Sequence, residues 1–182
     1  TPDSICIGQS SNLMVLLSDT LTSPLCDDYT VTNIPFAPLL MVGTNVATFT
    51  PLELFLSASD EGISAGFPIG FNFNFYCNNY NTFYIHTNGF ITFTPIAPGA
   101  GLLGGTPIPF AAIPNNLIAL GWEDLDVSLG GSIRYYMQGV APNRRLIISF
   151  IGIRNFLGAT QLTAQTILYE SDNSIEIHIT NN

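Results

Sequence analysis

The sequence predicts an all-β fold, an antiparallel β-sandwich of the jelly-roll or immunoglobulin-like kind with a short N-terminal strand extension, and three observations carry that reading. Amphipathic helical periodicity is nearly absent. Short β-rich runs recur, bounded by Pro, Gly and Asn, and several of them alternate apolar with polar residues. In Phe71-Asn72-Phe73-Asn74-Phe75 the phenylalanines share one face and the asparagines the other. Ser174-Ile175-Glu176-Ile177-His178-Ile179 repeats the pattern with three isoleucines inward.

Taken in order, the expected strands are 12–17, 29–33, 46–49, 52–56, 69–76, 82–87, 89–94, 117–122, 132–137, 145–152, 162–169 and 174–179. Asn88-Gly89 between two β-rich runs signals a type I′ hairpin, because both central positions of that turn need positive φ. Asp172-Asn173 and Gly130-Gly131 punctuate two further hairpins, and Pro142-Asn143 marks a turn before Leu146-Ile147-Ile148. So many short strands at this spacing call for two packed sheets or a related barrel. Residues 95–116 hold five prolines and four glycines and read as a long connection packed on the sandwich, most simply a crossover between its sheets.

Two regions follow from this pattern. Residues 1–35 form an N-terminal extension whose strand joins its own sandwich or a neighbour's, and residues 36–182 form the sandwich. The run Leu13-Met14-Val15-Leu16-Leu17 has two readings that stay open: an internal strand buried on both faces, or an assembly strand added to a neighbouring subunit's sheet.

Composition narrows the function. Hydrophobic residues make up 47% of the chain and charged residues 9%, against roughly 25% charged in an average soluble domain. So little charge implies surface buried against other copies or neighbouring domains. No apolar run reaches the ~18–20 residues of a spanning helix. The cluster Glu123-Asp124-Leu125-Asp126 and the many prolines fit a water-exposed sandwich better than a membrane barrel. Thirteen acids face four bases, all Arg, for a net charge of −9. That balance argues against nucleic acid and anionic lipid as partners.

Chemistry is sparse. No GxSxG elbow or phosphate-binding glycine loop is present, and His86 and His178 each stand alone in a strand-like run, so no catalytic residue is assigned and no enzyme is expected. Asp124 and Asp126, two residues apart at a strand end, are the metal candidates. With carbonyls of the following Ser128–Gly131 turn they could collect a structural calcium, the one cofactor considered. Tyr76, Asn78, Asn79, Tyr80 and Tyr84 could form a polar–aromatic sugar-binding surface, against the plainer reading that Tyr and Asn line strand edges and turns. Cys6, Cys26 and Cys77 lack metal-ligand spacing. One disulfide and one leftover thiol is the simplest arithmetic in a secreted protein, with Cys6–Cys26 first and Cys26–Cys77 its rival.

The residues also resemble a known family. Gly66-Phe67-Pro68-Ile69-Gly70-Phe71-Asn72-Phe73 runs on to Tyr84-Ile85-His86-Thr87-Asn88-Gly89-Phe90-Ile91-Thr92-Phe93. Pro114-Asn115-Asn116-Leu117-Ile118-Ala119 and Trp122-Glu123-Asp124-Leu125 follow, then Gly131-Ser132-Ile133-Arg134-Tyr135 and Ala141-Pro142-Asn143-Arg144-Arg145. Leu168-Tyr169-Glu170 and Ile175-Glu176-Ile177-His178 complete the series. This ordered set, across roughly residues 29–179, resembles a repeat domain of large secreted Bacteroidetes surface proteins, including gliding-motility adhesins and other type IX secretion substrates. It is similar to the extracellular NIDO domain as well.

The resemblance implies a secreted, non-enzymatic subunit or repeat of a surface fibre or adhesin, whose partners are copies of itself or neighbouring repeats; a carbohydrate- or surface-binding module is the alternative and a glycan-active hydrolase a distant one. It carries no catalytic residues. Relatives continue past the position of Ile179 with a further strand, so the sandwich is expected to leave an open sheet edge that a partner strand could fill. They also often carry a second cysteine near Cys77, absent here. Asp3-Ser4-Ile5 and Asp19-Thr20-Leu21 match the acidic–hydroxyl–aliphatic O-glycosylation triplet of such bacteria, making Ser4 and Thr20 candidate sites.

Overall fold

The computed structural model describes residues 29–52, 57–97, 105, 107–108, 111 and 113–181, and the backbone alone of residues 12–16. The described strands form two antiparallel sheets packed face to face. In chain order they are β1 (Asn12–Leu16), β2 (Thr30–Asn33), β3 (Thr44–Asn45), β4 (Thr50–Pro51), β5 (Gly62–Ile63), β6 (Phe67–Phe75) and β7 (Asn78–His86), then β8 (Phe90–Thr92), β9 (Leu117–Ala119), β10 (Leu125–Asp126), β11 (Ser132–Gln138), β12 (Arg145–Asn155), β13 (Gln161–Tyr169) and β14 (Ile175–Asn181). The larger sheet runs β2-β1-β14-β13-β12-β11-β3, with β10 also on β12. The smaller runs β4-β5-β7-β8-β9, with β6 also on β7. A single 3-10 turn, Val127–Leu129, is the one helical element among the described residues.

The core follows from the alternation. Ile69, Phe71, Phe73 and Phe75 of β6 are buried, whereas Asn72 is exposed and Asn74 half-buried. They meet Ile133, Leu146, Ile148, Phe150, Leu168, Ile175 and Ile177 of the larger sheet. Each such side chain removed from water contributes roughly 1.5–3 kcal/mol, so this interface carries most of the sandwich's stability. β12 is long enough to hold two neighbours on one edge: Arg145–Ile151 pair with β11, and Arg154 and Asn155 pair with β10. Its register shifts between Phe150 and Ile153, where Gly152 supplies a φ of 60°.

Four expectations change. First, β14 has no open edge among the described residues, because β1 lies beside it with Leu13 opposite Ile177 and Val15 opposite Ile175. β1 also pairs with β2, so Leu13, Met14, Val15 and Leu16 sit in a strand of the chain's own sheet; Leu17 is outside the described residues. A tethered strand competes at high effective concentration, which favours pairing within the chain over a neighbour's strand.

Second, residues 95–116 do not cross between sheets. They leave β8 and return as β9, which pairs with β8 in the smaller sheet. Third, Gly130-Gly131 is no hairpin: it leads from the 3-10 turn into β11, while β10 and β11 each pair with β12.

Fourth, the two turns at the ends of β7 exchange character. His86 pairs with Phe90, leaving Thr87-Asn88-Gly89 as a three-residue loop in which only Gly89 has positive φ (79°). A left-handed third residue is the usual close of such a loop. The two-residue turn with positive φ at both positions falls instead on Tyr76 (45°) and Cys77 (63°), between Phe75 and Asn78.

Candidate functional site

The three-residue loop between β7 and β8 is the centre of a buried polar hub. Glu61, His86, Thr87 and Asn88 are fully buried, and Asp60 and Asp126 nearly so. The loop 57–61, just before β5, wraps one side of the tip. Thr87 Oγ1 donates to the Asp60 carbonyl and accepts from Gly62 N at 3.0 Å. The segment 120–126 wraps the other side: Leu120 N donates to Gly89 O at 2.9 Å. Gly89 is required there, because a Cβ would run into the Gly121 carbonyl.

Asn88 joins the two sides. Its Nδ2 donates to Glu61 Oε1 at 2.8 Å, and its Oδ1 accepts from Leu125 N at 3.0 Å. Its own backbone N–H donates to His86 Nδ1 at 3.1 Å, which puts the imidazole proton on Nε2. That ring stacks on Phe90 with centroids 4.5 Å apart, and burial pushes its pKa down to about 3. His86 is thus a neutral acceptor in the wall of the hub.

The acids converge. One carboxylate oxygen from each of Asp60, Glu61 and Asp124 lies within 4.8 Å of the others. Asp60 is 5% exposed, and its Oδ1 is buried with no hydrogen-bond partner. Burial, then the charges of Asp124 and Asp126, push its carboxyl up to about 6. Of the two acids named from the sequence, Asp124 belongs to this cluster. Asp126 does not: its Oδ1 accepts from Ser128 N at 2.7 Å and caps the 3-10 turn. Its place is taken by Asp60 and Glu61, which the sequence reading missed. The run Ser57-Ala58-Ser59-Asp60-Glu61-Gly62 gives no signal beyond a polar turn.

The tyrosine–asparagine surface is divided. Tyr80 stacks on core residue Phe93, centroids 5.0 Å apart. Tyr84 packs instead in a second cluster with Leu52, Ile63 and Phe90. Tyr76 is exposed at its turn and meets Tyr29 edge-on. Asn78 and Asn79 are exposed, Asn78 donating to Tyr76 O at 2.9 Å and Asn79 accepting from Asn74 Nδ2 at 3.3 Å. A shallow cleft does form beside Tyr76, lined by Phe75, Pro114, Asn115, Leu117 and Trp122.

Elsewhere, His178 is buried beneath the Phe36 ring and contacts Glu176 at 3.3 Å. Arg144 forms a two-pronged ion pair with Glu170 and also donates to Gly70 O at 2.6 Å. This pair joins two of the sequence motifs that were far apart in the chain. Cys6, Cys26, Ser4 and Thr20 lie outside the described residues, and with them both cysteine pairings and both glycosylation candidates.

No helix among the described residues is long and apolar enough to cross a membrane. No curated protein and no solved structure matches the chain. The model of the NIDO-related family does, over residues 28–182, a span that takes in both sheets from β2 onward and the whole acidic hub. The chain therefore belongs to the NIDO-related family.

Proposed function

We propose that this domain is a non-enzymatic extracellular structural unit, a subunit or repeat of a bacterial surface fibre or adhesin that associates through apolar surface and strand edges. The observation that carries the reading is exposed apolar side chains together with a sheet edge that no strand covers among the described residues. Leu157 is 87% exposed, Val140 78% and Leu40 77%. β2, at the margin of the larger sheet, is exposed along its whole length and includes Val31. With so few charged residues, little opposes apposition of such surfaces. The NIDO-related match supports an extracellular, non-catalytic role. The Bacteroidetes and type IX secretion setting rests on the sequence resemblance.

The test is the assembly state of the chain by light scattering and electron microscopy. Filaments or discrete oligomers at micromolar concentration are expected, lost in the double variant Val140→Asp, Leu157→Asp. Monomers up to about 100 μM would overturn the reading, on the general scale in which micromolar affinity corresponds to about −8 kcal/mol.

A second reading, a carbohydrate- or surface-binding module, is favoured by the cleft beside Tyr76, which combines Trp122 and Tyr76 with Asn115 and Asn116. Glycan binding by the monomer, abolished by Trp122→Ala, would move the assignment there. The cysteine pairing, Cys6–Cys26 or Cys26–Cys77, belongs to the same extracellular proposal. Non-reducing peptide mapping decides it.

A further inference from the structure

We propose that Asp60, Glu61 and Asp124 hold one calcium ion that clasps the two sheets together at the tip of the β7–β8 hairpin. Three observations lead there. The three carboxylates converge from two separate segments, with one oxygen of each within 4.8 Å of the others. Asp60, one of the three, is nine-tenths buried, and its Oδ1 has no hydrogen-bond donor. Such an oxygen, shut off from water, requires a positive partner. Among the described residues no basic side chain provides one, since neither Asp60 nor Asp124 is in an ion pair and Arg144 is engaged by Glu170.

The donor set selects the ion. All three groups are carboxylates, with no histidine or cysteine in the cluster, which suits a hard cation. Calcium accepts six to eight oxygens in irregular geometry and completes its shell with water. Magnesium demands near-ideal octahedral geometry and retains most of its own water, so a loop-built set of three carboxylates suits calcium better. Asp124 is only half-buried, which leaves a path for the ion and room for water. A net charge of −9 raises the local cation concentration.

The position says what the ion does. Asp60 and Glu61 lie just before β5 of the smaller sheet, and Asp124 just before β10 of the larger. Neutral bonds already bridge the same gap: Val127 N donates to Ser59 O at 2.9 Å, and Leu125 N to Asn88 Oδ1. An ion between the carboxylates converts their mutual repulsion into a cross-link. This inference is independent of the assembly reading and stands whether the domain is a monomer or a polymer.

The test uses the full 182-residue chain, stripped with EGTA, in calorimetric titrations with calcium and with magnesium. One calcium per chain is expected, with a thermal midpoint raised by several degrees at millimolar calcium and restored by EGTA. Asp124→Asn should weaken binding at least tenfold, while Glu123→Gln, an exposed neighbour, should leave it unchanged. Because a hub variant could fail to fold, amide exchange in the wild type provides a second reading: calcium should slow exchange at Leu125 and Val127. Absence of calcium binding overturns the proposal. So does wild-type affinity in a folded Asp124→Asn chain, an equal midpoint shift with magnesium, or calcium binding that leaves those two amides unprotected.

Discussion

Gln165 and Asp60 are both buried polar residues, and the sandwich treats them in opposite ways. Gln165 sits in β13 on the outer face of the larger sheet, fully buried. Its Oε1 accepts from Leu39 N at 2.7 Å, and its Nε2 donates to Leu39 O at 3.1 Å and to Ser149 Oγ at 2.9 Å. A neutral amide with a donor and an acceptor can satisfy a passing backbone completely, and here it fastens residue 39 to the sheet. Asp60 in the hairpin hub has only acceptors to offer and stands beside Asp124 and Asp126, so its Oδ1 is left unmatched. Buried polarity that is complete in itself serves as structure. Buried polarity that lacks its counter-charge points to something from outside.

The comparison can be broken at several places, with the largest effect at Asn88. Asn88→Ala strips the acceptor from Leu125 N and the donor from Glu61 Oε1 in a fully buried site. We expect a loss of about 2–4 kcal/mol, from two buried hydrogen bonds removed; urea unfolding measures it. Gln165→Leu should cost less, about 1–3 kcal/mol, because the freed Leu39 backbone is nearer to solvent. Its cost should be identical in EGTA and in calcium, whereas that of Asn88→Ala should differ between them. Equal calcium dependence in the two variants would erase the distinction drawn above.

His86 sharpens the comparison through pH. Its folded pKa, about 3, lies below the ordinary 6.5, so the unfolded chain takes up a proton that the folded one refuses. Its contribution to stability is complete above pH 6.5 and is lost as pH falls from there towards 3, at up to about 1.4 kcal/mol per pH unit. Asp60, raised to about 6, acts in the opposite sense between 6 and 3.8. The difference between wild type and His86→Gln in unfolding free energy from pH 7 to 4 isolates the imidazole. A pH-independent difference would mean that His86 titrates normally. The smallest effect belongs to the surface: Leu157→Ser should change monomer stability by less than about 0.5 kcal/mol, even where it abolishes assembly.

Much was legible along the chain. The Phe71–Phe75 alternation marked a core strand because side-chain direction repeats every two residues whatever the strand packs against. Asn88-Gly89 marked a turn, since Gly89 does require positive φ. Asp124 was named as an acid of interest, and it does stand among converging carboxylates, with Asp60 and Glu61 in place of Asp126. The errors share a cause. Asn88 takes no left-handed conformation, because its side chain is needed between Glu61 and Leu125, and Tyr76-Cys77 forms the two-residue turn that its composition gives no reason to expect. β5 and β10, two residues each, are too short to show a period and exist only because β7 and β12 extend alongside them.

What the sequence by itself determined is therefore local: the β character of the chain, the inward face of its long strands, the places where it turns, and a surface poor in charge. These depend on residues a few positions apart, where backbone geometry sets the relation between neighbours. Only the tertiary structure decided which segments meet. It brought Asp60 and Glu61 to Asp124, laid Leu39 across Gln165 from 126 residues away, and put β1 beside β14, where Asn12 lies opposite His178. No local pattern encodes such a meeting, because it follows from how two whole sheets stack to bury their apolar faces.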